Sequence, residues 1–243
     1  MRKLLLICLI CLLSASGCAE KEEKSYACRT LHLYDYTAPV PVSEAADDSY
    51  FGDSLFVGDS RMGALALYGS HKEAEVYYVT SLNLLRIEVM PVDEHTDHTL
   101  MDYLEKTKKT NIYMLFGINE VRSSSFDSFA GIYQEIIDML KEHNPDVKIY
   151  IMLAYHPQAI SGLNDDQLND QLEKMNIRMK ALAIENRVYY IDLDPVLAGK
   201  DGKIRSKYTF DGLHLNPEGV KVMEQYIAEH TVREDRYVKE VCE

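Results

Sequence analysis

Tryptophan is absent from the 243 residues, and basic side chains are in short supply. Lys and Arg number 26 against 39 Asp and Glu, a formal net charge of −13. That balance argues against a nucleic-acid binder, which needs a basic footprint to meet phosphates. It also leaves no electrostatic drive toward anionic lipid unless something else anchors the chain. Seven prolines and twelve glycines are too few for a fibrous or low-complexity chain. No apolar run approaches the roughly 20 residues that a membrane-spanning helix needs. What is present is 47% hydrophobic residues, enough for one globular domain with a sizeable core.

The longest apolar run, residues 4–13, follows Arg2 and Lys3 and leads into small residues and then Cys18. A basic head, a short apolar stretch and a small-residue exit describe an export signal rather than a span. Ala15-Ser16-Gly17-Cys18 resembles the lipobox of bacterial lipoproteins, with Ala15 where such boxes usually carry Leu. The resemblance implies cleavage before Cys18, lipidation of that cysteine, and a surface-anchored protein outside the cytoplasm. Residues 20–24 (EKEEK) would then be a charged tether. Of five cysteines, Cys8 and Cys11 would leave with the signal and Cys18 would carry lipid. Cys28 and Cys242 remain near the two ends of the mature chain, as a disulfide clasp or as two unpaired thiols. No CxxC and no Cys/His zinc spacing occurs beyond the signal.

Residues up to about 52 show little periodicity, and Pro39 and Pro41 mark a leader or an edge-covering extension. From Asp53 onward, short apolar runs alternate with helical spacing. Strands are expected at Ser54–Gly58, Glu75–Val79, Asn111–Phe116, Val147–Leu153 and Val188–Ile191. Helices are expected at Arg61–Tyr68, from near Thr99 with Asp97 as cap, at Phe126–Glu142, at Asp165–Glu185, and from Pro217 to about His230. This alternation predicts an α/β fold, a three-layer sandwich around about five parallel strands. The expected division is a signal over 1–17, a tether and extension over 18–52, the domain over 53–230, and a C-terminal tail over 231–243, in which Arg233–Glu243 apart from Cys242 reads as a solvated charged strip. Ligands of such sheets bind at the carboxyl ends of the strands.

Three strand ends carry unusual residues. The first runs Gly58-Asp59-Ser60 directly into a helix, where free N–H groups favour an oxyanion, although an ordinary serine cap looks the same. Arg61, a cation in the first turn, reads either as a substrate contact or as a surface arginine. The third strand leads to Gly117-Ile118-Asn119, whose amide could donate to the same oxyanion or cap a turn. Asp211 and His214 stand three apart just before Pro217, close enough for the carboxylate to hold the imidazole tautomer.

Gly58-Asp59-Ser60, Gly117-x-Asn119 and Asp211-x-x-His214, in this order and strand context, resemble the SGNH (GDSL-type) hydrolase superfamily over roughly 53–230. The resemblance implies a Ser-His-Asp esterase with Ser60 as nucleophile, His214 as base and Asp211 as orienting acid. It implies an oxyanion hole of the Ser60 N–H, the Ser81 N–H and the Asn119 side chain. In two places the chain departs from the family pattern. Ser81 occupies the place of the family's second-block glycine, and Glu120 follows Asn119 where Asp is usual.

Asp93-Glu94-His95-Thr96-Asp97-His98 has metal-ligand residue types but no fixed geometry, so no metal is expected there. His156, after the fourth strand, is a candidate substrate contact or a plain loop histidine. The seventeen tyrosines are expected mainly in the core. Together these features predict an exported, monomeric serine esterase with no cofactor, acting on small acyl esters or acetylated glycans. The alternatives are a non-catalytic binding protein of the same fold and an acyltransferase using the same triad.

Overall fold

The runs SLFVG and NIYML are buried at every residue, as strands covered on both faces must be. The computed structural model describes residues 28–92, 97–123, 126–233 and 236–242. In chain order the elements are β1 (Cys28–His32), α1 (Asp48–Phe51), β2 (Ser54–Gly58), α2 (Gly63–Tyr68), β3 (Glu75–Tyr78), α3 (Leu100–Lys106) and β4 (Asn111–Leu115). There follow α4 (Asp127–His143), β5 (Lys148–Met152), α5 (Asp165–Asn186), β6 (Tyr189–Ile191), α6 (Asp194–Leu197), α7 (Pro217–Glu229) and β7 (Val238–Cys242). The expected export signal and Cys18 lie outside the described residues, as do residues 93–96 and the side chain of Cys242.

Two compact units divide the chain, one over 34–234 and the other holding β1 and β7. The larger contains a five-stranded sheet in the order β3-β2-β4-β5-β6, with every neighbouring pair parallel. The fold is therefore the expected α/β sandwich. Strand residues alternate between faces. Leu55, Val57, Ile112, Met114, Ile149 and Ile151 share a core with residues of α3, α4 and α5. The intervening Phe56, Tyr113, Tyr150 and Tyr189 stand opposite one another in register. Their rings follow one another across the sheet with centroids 4.6, 4.3 and 5.0 Å apart. Tyr150 Oη accepts the Val232 N–H at 3.0 Å, so the polar tip of a fully buried ring is satisfied. At the β6 edge the extension lends a partner: the Val40 N–H donates to the Tyr190 carbonyl at 3.1 Å.

Local chemistry sets the helix starts. Asn164 with Gln167, and Thr99 with Asp102, form reciprocal capping boxes at α5 and α3. Asn216 caps α7 ahead of Pro217. The cap of α3 is thus Thr99 and not Asp97, because Thr99 meets the Asp102 N–H and Asp102 returns the bond.

In the smaller unit β1 and β7 pair antiparallel. Within the expected tail, Val238–Cys242 is a strand, and Val238, Lys239 and Glu240 in it are exposed. Its register sets Cys28 opposite Cys242, and Cys28 is disulfide-bonded.

Candidate active site

The sequence at the end of β2 builds the first part of the site. A Cβ on Gly58 would stand 2.5 Å from the Leu115 carbonyl, so only glycine lets β2 approach β4 this closely. Ser60–Met62 then form a single 3-10 turn, capped by the Asp59 carboxylate accepting the Arg61 N–H at 3.1 Å. Ser60 stands at the head of this turn, at the carboxyl end of a central strand.

The second part is the loop before α7. Thr209 Oγ1 accepts the Gly212 N–H at 2.9 Å and donates to the His214 carbonyl at 2.7 Å. Gly212 takes φ +85°, a left-handed conformation suited to glycine. The loop folds back so that His214 Nδ1 lies 2.6 Å from Asp211 Oδ2. Asp211 Oδ1 also accepts the backbone N–H groups of His214 and Leu213 at 2.7 and 2.9 Å. Burial works to raise the Asp211 pKa, but these three bonds outweigh it and hold the carboxyl down at about 2. The group is thus an anion at any working pH. Across the gap, Ser60 Oγ lies 2.9 Å from His214 Nε2. Carboxylate, imidazole and hydroxyl form one continuous hydrogen-bonded line, although Ser60 and His214 are 154 residues apart.

The two remaining candidate donors come from the loops after β3 and β4. Ser81, in the place of the family's second-block glycine, adopts φ +58°, the left-handed region. Its N–H has no hydrogen-bond partner among the described residues. The Asn119 amide donates one N–H to the Leu82 carbonyl at 2.7 Å, which leaves its second N–H to point elsewhere.

Of the two candidate substrate contacts, Arg61 lies in the interior and His156 is partly exposed. Arg61 is 1% exposed, and its guanidinium forms a two-pronged pair with Asp59, Nε to Oδ1 at 2.9 Å and Nη2 to Oδ2 at 2.8 Å. Burial opposes its charge, but Asp59 more than compensates and raises its pKa. A substrate outside cannot reach it. His156 is bound to Asp194, Nδ1 to Oδ2 at 2.6 Å, and its backbone N–H meets Asp194 Oδ1 at 3.1 Å. That bond, against the opposing effect of burial, raises its pKa. Among the described residues no group of three His, Cys, Asp or Glu could hold a metal ion.

Sequence reasoning missed the residues that hold the base loop. Tyr155 is fully buried, its hydroxyl donates to the Leu213 carbonyl at 2.7 Å, and its ring lies 5.5 Å from the Arg61 guanidinium carbon. The Gln158 N–H donates to the Gly212 carbonyl at 2.7 Å. Tyr155 therefore contacts both the nucleophile turn and the base loop. Nothing distinguishes it among seventeen tyrosines in the sequence.

The sequence matches the GDSL-like lipase/acylhydrolase family over residues 50–222, which is most of the chain and includes Ser60, Asn119 and the Asp211–His214 loop. The chain belongs to this family. Membership in the GDSL-like lipase/acylhydrolases implies ester hydrolysis. The fold agrees with that of other family structures. A GDSL-like lipase from Bacteroides thetaiotaomicron VPI-5482 superposes with a TM-score of 0.55 at 16% identity, covering 76% of this chain and 89% of that one. An acetyl xylan esterase gives 0.50 at 18% identity, covering 74% and 100%. A carbohydrate esterase family 3 protein from Talaromyces cellulolyticus gives 0.50 at 14%, covering 72% and 93%. The GDSL-like chain also matches an N-acylneuraminate cytidylyltransferase of Escherichia coli O18:K1:H7, 28% identical over 122 residues and 49% of this chain. It spans about a quarter of that relative's length, 27%.

Proposed function

We propose that this GDSL-like protein is an exported serine esterase that removes O-acyl groups, acetyl first, from carbohydrate. The observation that carries the mechanism is the line Ser60 Oγ–His214 Nε2–His214 Nδ1–Asp211 Oδ2, with spacings of 2.9 and 2.6 Å across it. Ser60 Oγ attacks the ester carbonyl carbon while Nε2 takes the hydroxyl proton. Asp211, ionised and held by backbone N–H groups, stabilises the imidazolium that results. The negative charge that develops on the carbonyl oxygen is met by the N–H groups of Ser60 and Ser81 and by the second N–H of Asn119. Collapse expels the alcohol, which carries away the proton from Nε2, and leaves an acyl group on Ser60. Water then attacks the acyl-enzyme and gives a proton to Nε2; collapse breaks the acyl–Oγ bond, Nε2 returns that proton to Ser60 Oγ, and the acid leaves.

A sugar as the alcohol part is supported by the surroundings of the loop. Phe210, next to Asp211, is 64% exposed, and its ring lies 6.1 Å from that of Tyr68. Open aromatic faces beside a catalytic loop offer a stacking platform for a flat, mixed polar–apolar ring. The acetyl xylan esterase sharing the fold, and the cytidylyltransferase named for an acylated sugar acid, point the same way. Residues 1–17 would export the chain, with Cys18 as its lipid anchor and residues 20–24 as tether.

Labelling with a fluorophosphonate tests the nucleophile. The mature chain should take up one probe at Ser60, located by peptide mass, and Ser60→Ala should take up none. Labelling at another residue, or none in the wild type, contradicts the proposal. A screen of acetylated against acyl-chain esters then assigns the substrate class.

A further inference from the structure

The residue after Asn119 departs from the usual family pattern and is buried beside the site. Glu120 is 4% exposed, in a loop where its own N–H bonds to the Gly117 carbonyl and its carbonyl accepts the Ser123 N–H. Its Oε1 accepts the backbone N–H of Leu84, while the adjacent Asn119 donates to the carbonyl of Leu82. Two consecutive side chains of one loop thus grip a neighbouring loop, one by a donor and one by an acceptor. Leu82 and Leu84 are themselves buried, and Asn83 between them caps the Leu85 N–H at 3.0 Å. Ser81, with its left-handed backbone and unpartnered N–H, directly precedes this gripped segment.

We propose that Glu120 is a positioning residue for the oxyanion hole: its carboxylate, by holding the Leu84 N–H, fixes the Ser81–Leu84 segment, and it holds more firmly when ionised. The inference rests on the reading of Ser60 as an esterase nucleophile. Bonds from an N–H to a carboxylate are roughly twice as strong as bonds to a neutral acceptor. The charged groups near Glu120 are Asp59 and Arg61, from the turn after β2, and they are paired with each other. Tyr133 of α4 also lies close, its hydroxyl pushed by burial far above ordinary phenol values, so it stays neutral. Glu120 Oε2 and Arg61 Nη1 are both buried without a hydrogen-bond partner among the described residues. Burial raises the Glu120 carboxyl to about 7; the Leu84 bond and Arg61 pull it down and Asp59 pushes it up. The grip therefore changes strength near neutral pH.

The test follows the Leu84 amide and the kinetics together, in the mature chain. In ¹H–¹⁵N spectra from pH 5 to 9, the Leu84 amide should titrate with a midpoint near 7, and this titration should vanish in Glu120→Gln. With p-nitrophenyl acetate, Glu120→Ala should lower kcat about 10- to 100-fold and leave KM within about twofold. Glu120→Gln keeps the acceptor oxygen and should recover most of that loss at low pH. The ratio of wild-type to Gln-variant kcat should then rise as pH passes 7, a change that His214, common to both, cannot produce. An amide that titrates alike in both proteins overturns the proposal, as does a folded Glu120→Ala with unchanged kcat. Wild-type protein without any hydrolysis overturns the esterase reading and the oxyanion role with it, while the amide titration still decides whether the clamp exists.

Discussion

Tyr155 donates its hydroxyl proton to the Leu213 carbonyl at 2.7 Å, from a ring on which the Arg61 guanidinium rests. The carbonyl belongs to the loop between Asp211 and His214, and Arg61 to the turn that carries Ser60. One buried tyrosine therefore holds the base loop in register with the nucleophile turn. Removing only the hydroxyl isolates its contribution. Tyr155→Phe should cost about 1–3 kcal/mol, because the Leu213 carbonyl loses its donor. It should lower kcat about tenfold or more through a misplaced His214, with KM little changed. Denaturant melts and steady-state kinetics on the same variant check both parts.

Arg61 gives a sharp contrast between stability and binding. Its two bonds to Asp59 are fully buried, so Arg61→Met leaves an uncompensated carboxylate in the core. Breaking such a pair should destabilise the fold by about 3–5 kcal/mol. If Arg61 bound substrate instead, the variant would fold normally and show a raised KM. Urea unfolding decides between the two.

Ser81 sits at φ +58°, where a side chain is tolerated but glycine fits best. Ser81→Gly keeps the N–H and should alter stability by no more than about 1 kcal/mol, since relieved strain is offset by a looser unfolded chain. Activity should survive. Ser81→Val, branched at Cβ, should destabilise by about 1–3 kcal/mol and lower kcat by shifting that N–H. Equal kinetics in the Gly and Val variants would contradict a role for this backbone position.

The buried Glu120 also makes a pH prediction. Its folded pKa of about 7 lies above the ordinary value of 4.5, so the folded state holds its proton more tightly. Stability from this group is present below 4.5 and is lost as pH rises toward 7, at about 1 kcal/mol per pH unit. The raised His156 contributes in the same direction at higher pH, and the depressed Asp211 acts only below about 4. Subtracting the unfolding free energy of Glu120→Gln from wild type between pH 5 and 8 should isolate the Glu120 slope. Parallel curves would show that Glu120 ionises normally.

The sheet was legible in sequence because its strands are buried on both faces, which makes runs such as SLFVG nearly continuous in apolar residues. The pairing of β1 with β7 was not, since CRTLH is largely exposed and its partner lies at the other end of the chain. The pairing of Asp211 with His214 could be read from spacing, and Ser60 was joined to them by the resemblance of three motifs to the family. The buried state of Arg61 could not, because a charged residue reads as exposed unless its partner is known to share its pocket. Glu120 was visible only as a departure from a motif. What it touches depends on how the loops after β3 and β4 meet in space.

Ser60 is proposed as the working nucleophile of an ester hydrolase. Hydrolysis of p-nitrophenyl acetate by the mature chain, beside a folded Ser60→Ala variant, tests it most directly. The wild type should turn over the ester, and the variant should lose at least about 10³-fold in rate. Equal turnover in both proteins would contradict it.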